Sequence, residues 1–337
     1  MSPLAPNEPD IVIITGASAG VGRATALRFG RAGARVGLIA RDGKALNDVK
    51  REIEQLGGTA AVAAVDVANP EALLEAAKKL ETELGPVNIW VNDAMVTVFS
   101  PVTEITPEEF KRVTEVSYLG FVYGTKAALW LMRPRNRGTI VQVGSALAYR
   151  GIPLQAAYCG AKFAIRGFTD SLRTELMHEN SGIHITMVHL PAVNTPQFDW
   201  ARTHMARQPR PVAPVFQPET VADAIHKAAH EYKREYWLGR STIEIVLGNF
   251  LAPALLDRYL ARTAVQGQTT RRKVATNRRD NLLRPVHDLH RTRGSFGREA
   301  SPKALAVPGP ATRAATVTAG LLCAGLMGVA IGRLARR

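Results

Sequence analysis

The sequence predicts an α/β fold built around a doubly wound parallel sheet, and three observations carry that expectation. From Ile11 onward, short apolar runs alternate with longer amphipathic ones, as parallel strands do when helices cover both faces of their sheet. A glycine-rich turn, Thr15-Gly16-Ala17-Ser18-Ala19-Gly20-Val21-Gly22, lies between the first apolar run and the first amphipathic one. The chain of 337 residues also has room for one domain of roughly 250 residues plus an appendage.

Strands are expected at 11–15, 35–40, 60–65, 87–92, 139–144, 184–190 and 235–238, all short and mostly apolar. Helices are expected between them, near 20–32, 43–56, 70–84, 107–132, 155–179 and 218–233. Two helix starts are explicit: Asn69-Pro70-Glu71 and Thr106-Pro107-Glu108-Glu109 each combine a polar cap, a proline at the first position and early acids. The domain is expected to span 11–260. Residues 1–10 hold three prolines and no apolar run, which excludes a secretory signal and predicts a disordered lead-in.

Open sheets of this kind bind ligands beyond the carboxyl ends of their strands. The first such end carries the glycine turn. Its spacing lets the backbone bend sharply, approach a pyrophosphate and offer it the N–H groups of a helix start, making Gly16, Ser18, Gly20, Val21 and Gly22 candidate cofactor-binding residues. Tyr158 and Lys162 are four apart in a helical stretch and so share one face. An ammonium beside a phenol favours the phenolate, so the pair is a candidate acid/base. Ser145, at the end of the fifth strand, is placed to donate to a carbonyl or alkoxide oxygen. No side chain carries hydride, so a nicotinamide cofactor is expected to supply it. The second strand ends Ile39-Ala40-Arg41-Asp42, with Ala40 where an acid would select NAD and Arg41 placed to accept a 2′-phosphate; NADP(H) is favoured over NAD(H).

The form TGxxxGxG at 15–22, Tyr158-Cys159-Gly160-Ala161-Lys162 as YxxxK, Ser145 13 residues upstream, and Pro191-Ala192-Val193-Asn194-Thr195 after the sixth strand together resemble the classical short-chain dehydrogenase/reductase family. The resemblance covers about residues 10–240 and implies a Rossmann-type fold. It implies catalytic roles for Ser145, Tyr158 and Lys162, with Tyr158 and Lys162 also touching the cofactor and Lys162 binding its ribose. It implies adenine contacts from Asp66 and Val67, cofactor contacts from Asn92 and Ala94, and a nicotinamide contact from Thr195. Two departures stand out: Asn92-Asp93-Ala94-Met95 replaces the family's Asn-Asn-Ala-Gly, with Met95 for the permissive glycine, and Ser117 replaces the asparagine of a proton relay. The alternative they suggest is an NADP(H)-binding scaffold or sensor with weakened catalysis.

Residues 196–217 are rich in proline and are expected to form a mobile lid. Phe198, Trp200, Met205 and Phe216 within it point to a bulky apolar alcohol or carbonyl substrate. The apolar stretch from Ile243 to Leu260 either covers the mouth of the site or touches a membrane.

Charge divides the chain sharply. Residues 1–257 hold 27 basic and 26 acidic side chains, whereas 258–337 hold 16 basic residues against Asp280, Asp288 and Glu299, so +13 of the formal +14 lies in the tail. Residues 261–313 lose periodicity and are expected to be a basic, disordered linker. The uncharged run 314–332 would span about 28 Å as a helix, close to the hydrocarbon core, and is a candidate transmembrane helix; Gly320, Ala324, Gly328 and Gly332 give it a small-residue stripe. Residues 333–337 form a basic C-terminus. A membrane contact through this tail is expected, with the catalytic domain facing the cytoplasm; a soluble cytoplasmic protein is the alternative. Nucleic acid is disfavoured because aromatics are sparse in the tail. A homo-oligomer is expected. Cys159 and Cys323 are too far apart for a disulfide framework or thiolate metal site, His287 and His290 lack further ligands, and no metal is expected.

Overall fold

In the computed structural model, which describes residues 9–309, each expected strand forms within one or two residues of its place. They are β1 (Ile11–Thr15), β2 (Arg35–Ala40), β3 (Thr59–Ala64), β4 (Ile89–Asn92), β5 (Gly138–Ser145), β6 (Ile183–Leu190) and β7 (Glu235–Leu238). All seven run parallel in the order β7-β6-β5-β4-β1-β2-β3. The strand order reverses beside β1, which opens the crevice where such sheets take ligands.

Burial explains the arrangement. Side chains on successive strand residues face opposite ways: Ile13 and Trp90 join a cluster with α3 (Pro70–Leu84), α5 (Gly120–Met132) and α6 (Ala156–His178), while Val12, Ile14, Ile89 and Val91 join one with α1 (Gly20–Arg31), α2 (Gly43–Gln55) and α7 (Pro218–His230). Each fully buried Leu, Ile or Phe contributes about 1.5–3 kcal/mol, and both layers are needed because the strands are apolar on both faces. The caps sit where the sequence puts them. Asn69 Oδ1 accepts from Ala72 N, and Thr106 forms a reciprocal capping box with Glu109 at the start of α4 (Pro107–Thr114). The expected helix at 107–132 is α4 and α5 joined by a π-helical turn, Glu115–Leu119.

The C-terminal stretch corrects the sequence reading. Residues 261–309 do not form a disordered linker. After α8 (Arg240–Leu251) and α9 (Pro253–Gly267), Thr269–Lys273 pairs with Arg207–Pro209, and Ala300–Ser301 pairs with Val215–Phe216. A final strand, β8 (Ala306–Pro308), runs antiparallel to β7 and closes that sheet edge. Ordering is offset by pairing: Arg278 donates to the carbonyls of Phe198 and Ala201, Arg291 meets Asp199 and Arg293 meets Glu219. The lid expected at 196–217 is likewise held in short ladders, one of them joining Val98–Phe99 to Arg202–Thr203. Among the described residues no helix is long and apolar enough to cross a membrane; the run 314–332 lies outside them.

Candidate active site

The carboxyl ends of the strands enclose one cavity of about 650 Å³. Its floor is the glycine turn. Gly16 has φ +75°, and a Cβ there would lie 2.8 Å from Ala94 Cα; a Cβ on Gly22 would lie 2.4 Å from the Gly16 carbonyl oxygen. Only glycine allows this bend and brings the start of α1 against the cavity, where Gly16, Ser18, Ala19, Gly20 and Val21 line it. Thr15 Oγ1 accepts from the N–H groups of Asp93 and Ala94, tying the ends of β1 and β4 together.

At the other end β5 delivers Ser145 and α6 delivers Tyr158 and Lys162, all three lining the cavity. Ser145 lies beside the Tyr158 hydroxyl, and its Oγ accepts from Leu147 N at 3.1 Å. Lys162 is buried; its Nζ donates to the Val143 carbonyl at 2.8 Å and lies 5.6 Å from the centre of the Tyr158 ring. Burial pushes the Tyr158 phenol well above its ordinary pKa, with the neighbouring Ser145 side chain opposing. The expected lowering by Lys162 is therefore not what governs Tyr158. Burial instead takes Lys162 down to about 8, and Asp93 opposes that fall. Asp93 itself is raised to about 7 by burial, against Lys162 and a hydrogen bond from the Gly22 N–H.

Behind Ser145 lies a buried polar chain. Its carbonyl meets His189 Nδ1 at 3.2 Å, His189 Nε2 is 3.2 Å from Glu235 Oε2, and that oxygen accepts from the Tyr149 hydroxyl at 2.7 Å. Fixed this way, the end of β5 holds the serine in place.

The opposite end of the cavity is walled by Ala40, Arg41, Asp42, Asp66 and Val67. The Arg41 guanidinium donates to the carbonyls of Asn281 and Leu282. Asp42 caps α2 by accepting from the N–H groups of Lys44 and Ala45, and it is paired with His287. Asp66 accepts from Ala68 N and pairs with Arg112.

A family profile described as short chain dehydrogenase matches residues 10–206. The chain belongs to the short-chain dehydrogenase family. It is thus an oxidoreductase acting on CH–OH groups, with a nicotinamide cofactor. An uncharacterized oxidoreductase of Bacillus subtilis, YxnA, is 33% identical over 264 residues, covering 78% of this chain and 74% of that protein. The 3-dehydrosphinganine reductase of Danio rerio is 32% identical over 226 residues, covering 65% of this chain and 68% of that protein. Among solved structures, the alcohol dehydrogenase of Thermococcus sibiricus complexed with 5-hydroxy-NADP superposes with a TM-score of 0.58 at 26% identity, covering 65% of this chain and 90% of that one.

Within this short-chain dehydrogenase, most of the residues singled out from sequence meet in the cavity: Gly16, Ser18, Gly20, Val21, Arg41, Asp66, Val67, Ala94, Ser145, Tyr158, Lys162 and Thr195 line it. Asn92 does not. Its amide is fully buried in a network with Trp90, Thr125 and Gln142, because strand alternation turns it toward α5. Gly22 serves the bend from below. Phe198 and Trp200 line the cavity, whereas Phe216 is buried in its ladder and Met205 does not reach it.

Both departures from the family pattern are accommodated. Met95 lies on the cavity wall without a left-handed backbone. Ser117 sits in the π-helical turn, accepting from Val96 N at 2.9 Å and donating to Val96 O at 2.7 Å. The sequence reading passed over Asp93, although a carboxylate where the family has an amide was a visible signal. The stretch from Ile243 to Leu260 reaches the site as one of its two expected placements, with α8 and α9 bringing Ile245, Tyr259 and Leu260 to the cavity; Ala264, beyond that stretch, joins them.

Proposed function

We propose that this protein interconverts a secondary alcohol and its ketone using NADP(H), on an apolar, lipid-like substrate. One observation carries the reading: Ser145 and Tyr158 share the cavity with an apolar wall of Ile152, Ile245, Tyr259 and Leu260, the last three of them outside the matched family region. NADP(H) is supported at the far end, where Ala40 leaves no carboxylate on β2, Asp42 is committed to its cap, and Arg41 keeps donors beyond the two it uses. The relative named as a 3-dehydrosphinganine reductase supports the substrate class.

Bound there, the cofactor supplies the hydride chemistry. Ser18 to Val21, Lys162 and Thr195 are the residues that would hold it. With its pKa raised, Tyr158 keeps its proton at neutral pH and delivers it to a carbonyl oxygen, while the Ser145 hydroxyl donates to the same oxygen and steadies its developing charge. That protonation state favours the reductive direction.

A series of ketones of increasing chain length, assayed with NADPH and NADH, tests the reading. Turnover should rise with chain length, prefer NADPH and fall by about 10³-fold in Tyr158→Phe, with NADPH binding retained. Full activity in that variant, or equal use of short polar ketones, overturns it.

The outward face of the α8–α9 corner extends the reading. Phe250, Leu251, Leu255 and Tyr259 are 83%, 70%, 64% and 61% exposed, and Tyr259 also lines the cavity. A lipid surface against this corner would pass apolar substrate directly into the site.

A further inference from the structure

We propose that residues 278–299 form a clasp over the adenosine half of the bound dinucleotide, with His290 as its ligand-facing group, so that cofactor exchange requires the clasp to lift. The inference rests on the nicotinamide-cofactor reading above but lies outside the family region, which ends at 206.

The segment crosses the mouth of the cavity at its β2 and β3 end. It is pinned to the first turn of α1: Gly20 N donates to the Arg291 carbonyl at 3.0 Å and Arg23 Nη1 to the His290 carbonyl at 3.2 Å. Farther out, Asp199 holds Arg291 and Ser295, and Asn194 accepts from the N–H groups of Gly294 and Phe296. Leu282 inserts fully into the same apolar cluster as Val67, and Arg41 and Arg112 both donate to its carbonyl. These contacts close the cavity's adenosine end without filling it: Asn281, Pro285, Val286 and His290 are its outer wall, facing Arg41, Asp42 and Asp66.

Two features point to a ligand rather than to packing alone. The His290 side chain is only 9% exposed; its Nε2 is paired with Asp42 Oδ2 at 3.1 Å, while Nδ1 is buried without a hydrogen bond. Asn281 Oδ1 is also buried without a partner. Buried polar atoms are ordinarily satisfied; a ribose hydroxyl can donate to Asn281 Oδ1, and a hydroxyl or a phosphate oxygen can accept from the His290 ring. The clasp also carries exposed Arg279, Arg291 and Arg293, which makes its opening readable by trypsin.

The test uses the full chain and NADPH. Trypsin cleavage at Arg279, Arg291 and Arg293, located by fragment mass, should slow several-fold when NADPH saturates the protein. In fluorescence titration His290→Ala should weaken NADPH binding about fivefold to tenfold. In stopped-flow displacement Asp199→Ala, which removes two anchors outside the cavity, should release NADPH several-fold faster. Wild-type protein that binds no NADPH overturns both the cofactor reading and the clasp. Wild-type binding without slower cleavage, or unchanged affinity in His290→Ala, overturns the clasp alone.

Discussion

Asp93 and Lys162 form the residue pair that most distinguishes this site. Each is pushed toward its neutral form by burial and held back by the other. The sign for a variant follows. In Asp93→Asn, Lys162 loses the anion that supports its ammonium, so its pKa falls below about 8. If activity needs the ammonium, the alkaline limb of kcat/KM for the cofactor should move to lower pH by about one unit. An unchanged limb, or one displaced to higher pH, contradicts the pairing. The pair was only half legible in sequence. Helical spacing predicts that Tyr158 and Lys162 share a face, but the balance of desolvation against a carboxylate depends on how closely β4 and α6 are packed.

Among elements, the π-helical turn between α4 and α5 shows how a departure from the family pattern is absorbed. Ser117 Oγ ties this turn to both backbone groups of Val96, which adjoins the wall residue Met95. Ser117→Ala strands a buried donor and acceptor and should cost about 1–3 kcal/mol in chemical denaturation; a loss below about 0.5 kcal/mol would mean that the π-helical turn does not depend on this anchor. The strands and helices through β7 were legible because alternation and caps are local signals. The clasp was not. Residues 278–299 have no periodicity, and what orders them is Asp42, Asn194, Asp199 and Gly20, each reached only after the chain has folded back.

For the whole molecule, the charge division takes on a different meaning. Part of the basic excess in 258–309 belongs to the body: Arg278, Arg291 and Arg293 are held by carbonyls and carboxylates of the folded chain. Open to a membrane are the exposed apolar corner of α8 and α9 and the exposed Arg258, Arg262, Arg271, Arg272 and Lys273. Replacing Phe250 and Leu251 with serine should reduce co-sedimentation with anionic vesicles at least several-fold, since burying two large side chains contributes about 3–6 kcal/mol at most, while turnover of a short soluble ketone stays unchanged. Equal co-sedimentation of the two proteins would remove this surface from the proposal.

The parallel α/β sheet, the glycine turn and the shared helix face of Tyr158 and Lys162 were set by the sequence alone, because apolar periodicity and helical spacing act over a few residues at a time; Ser145 joined them through the family resemblance. Only the tertiary structure decided the raised pKa of Tyr158, the partnership of Asp93 with Lys162, the inward turn of Asn92 and the conversion of a supposed linker into a wall of the cavity. Those outcomes depend on burial and on partners more than a hundred residues apart, such as Arg41 and Leu282, and neither quantity exists until the chain is packed.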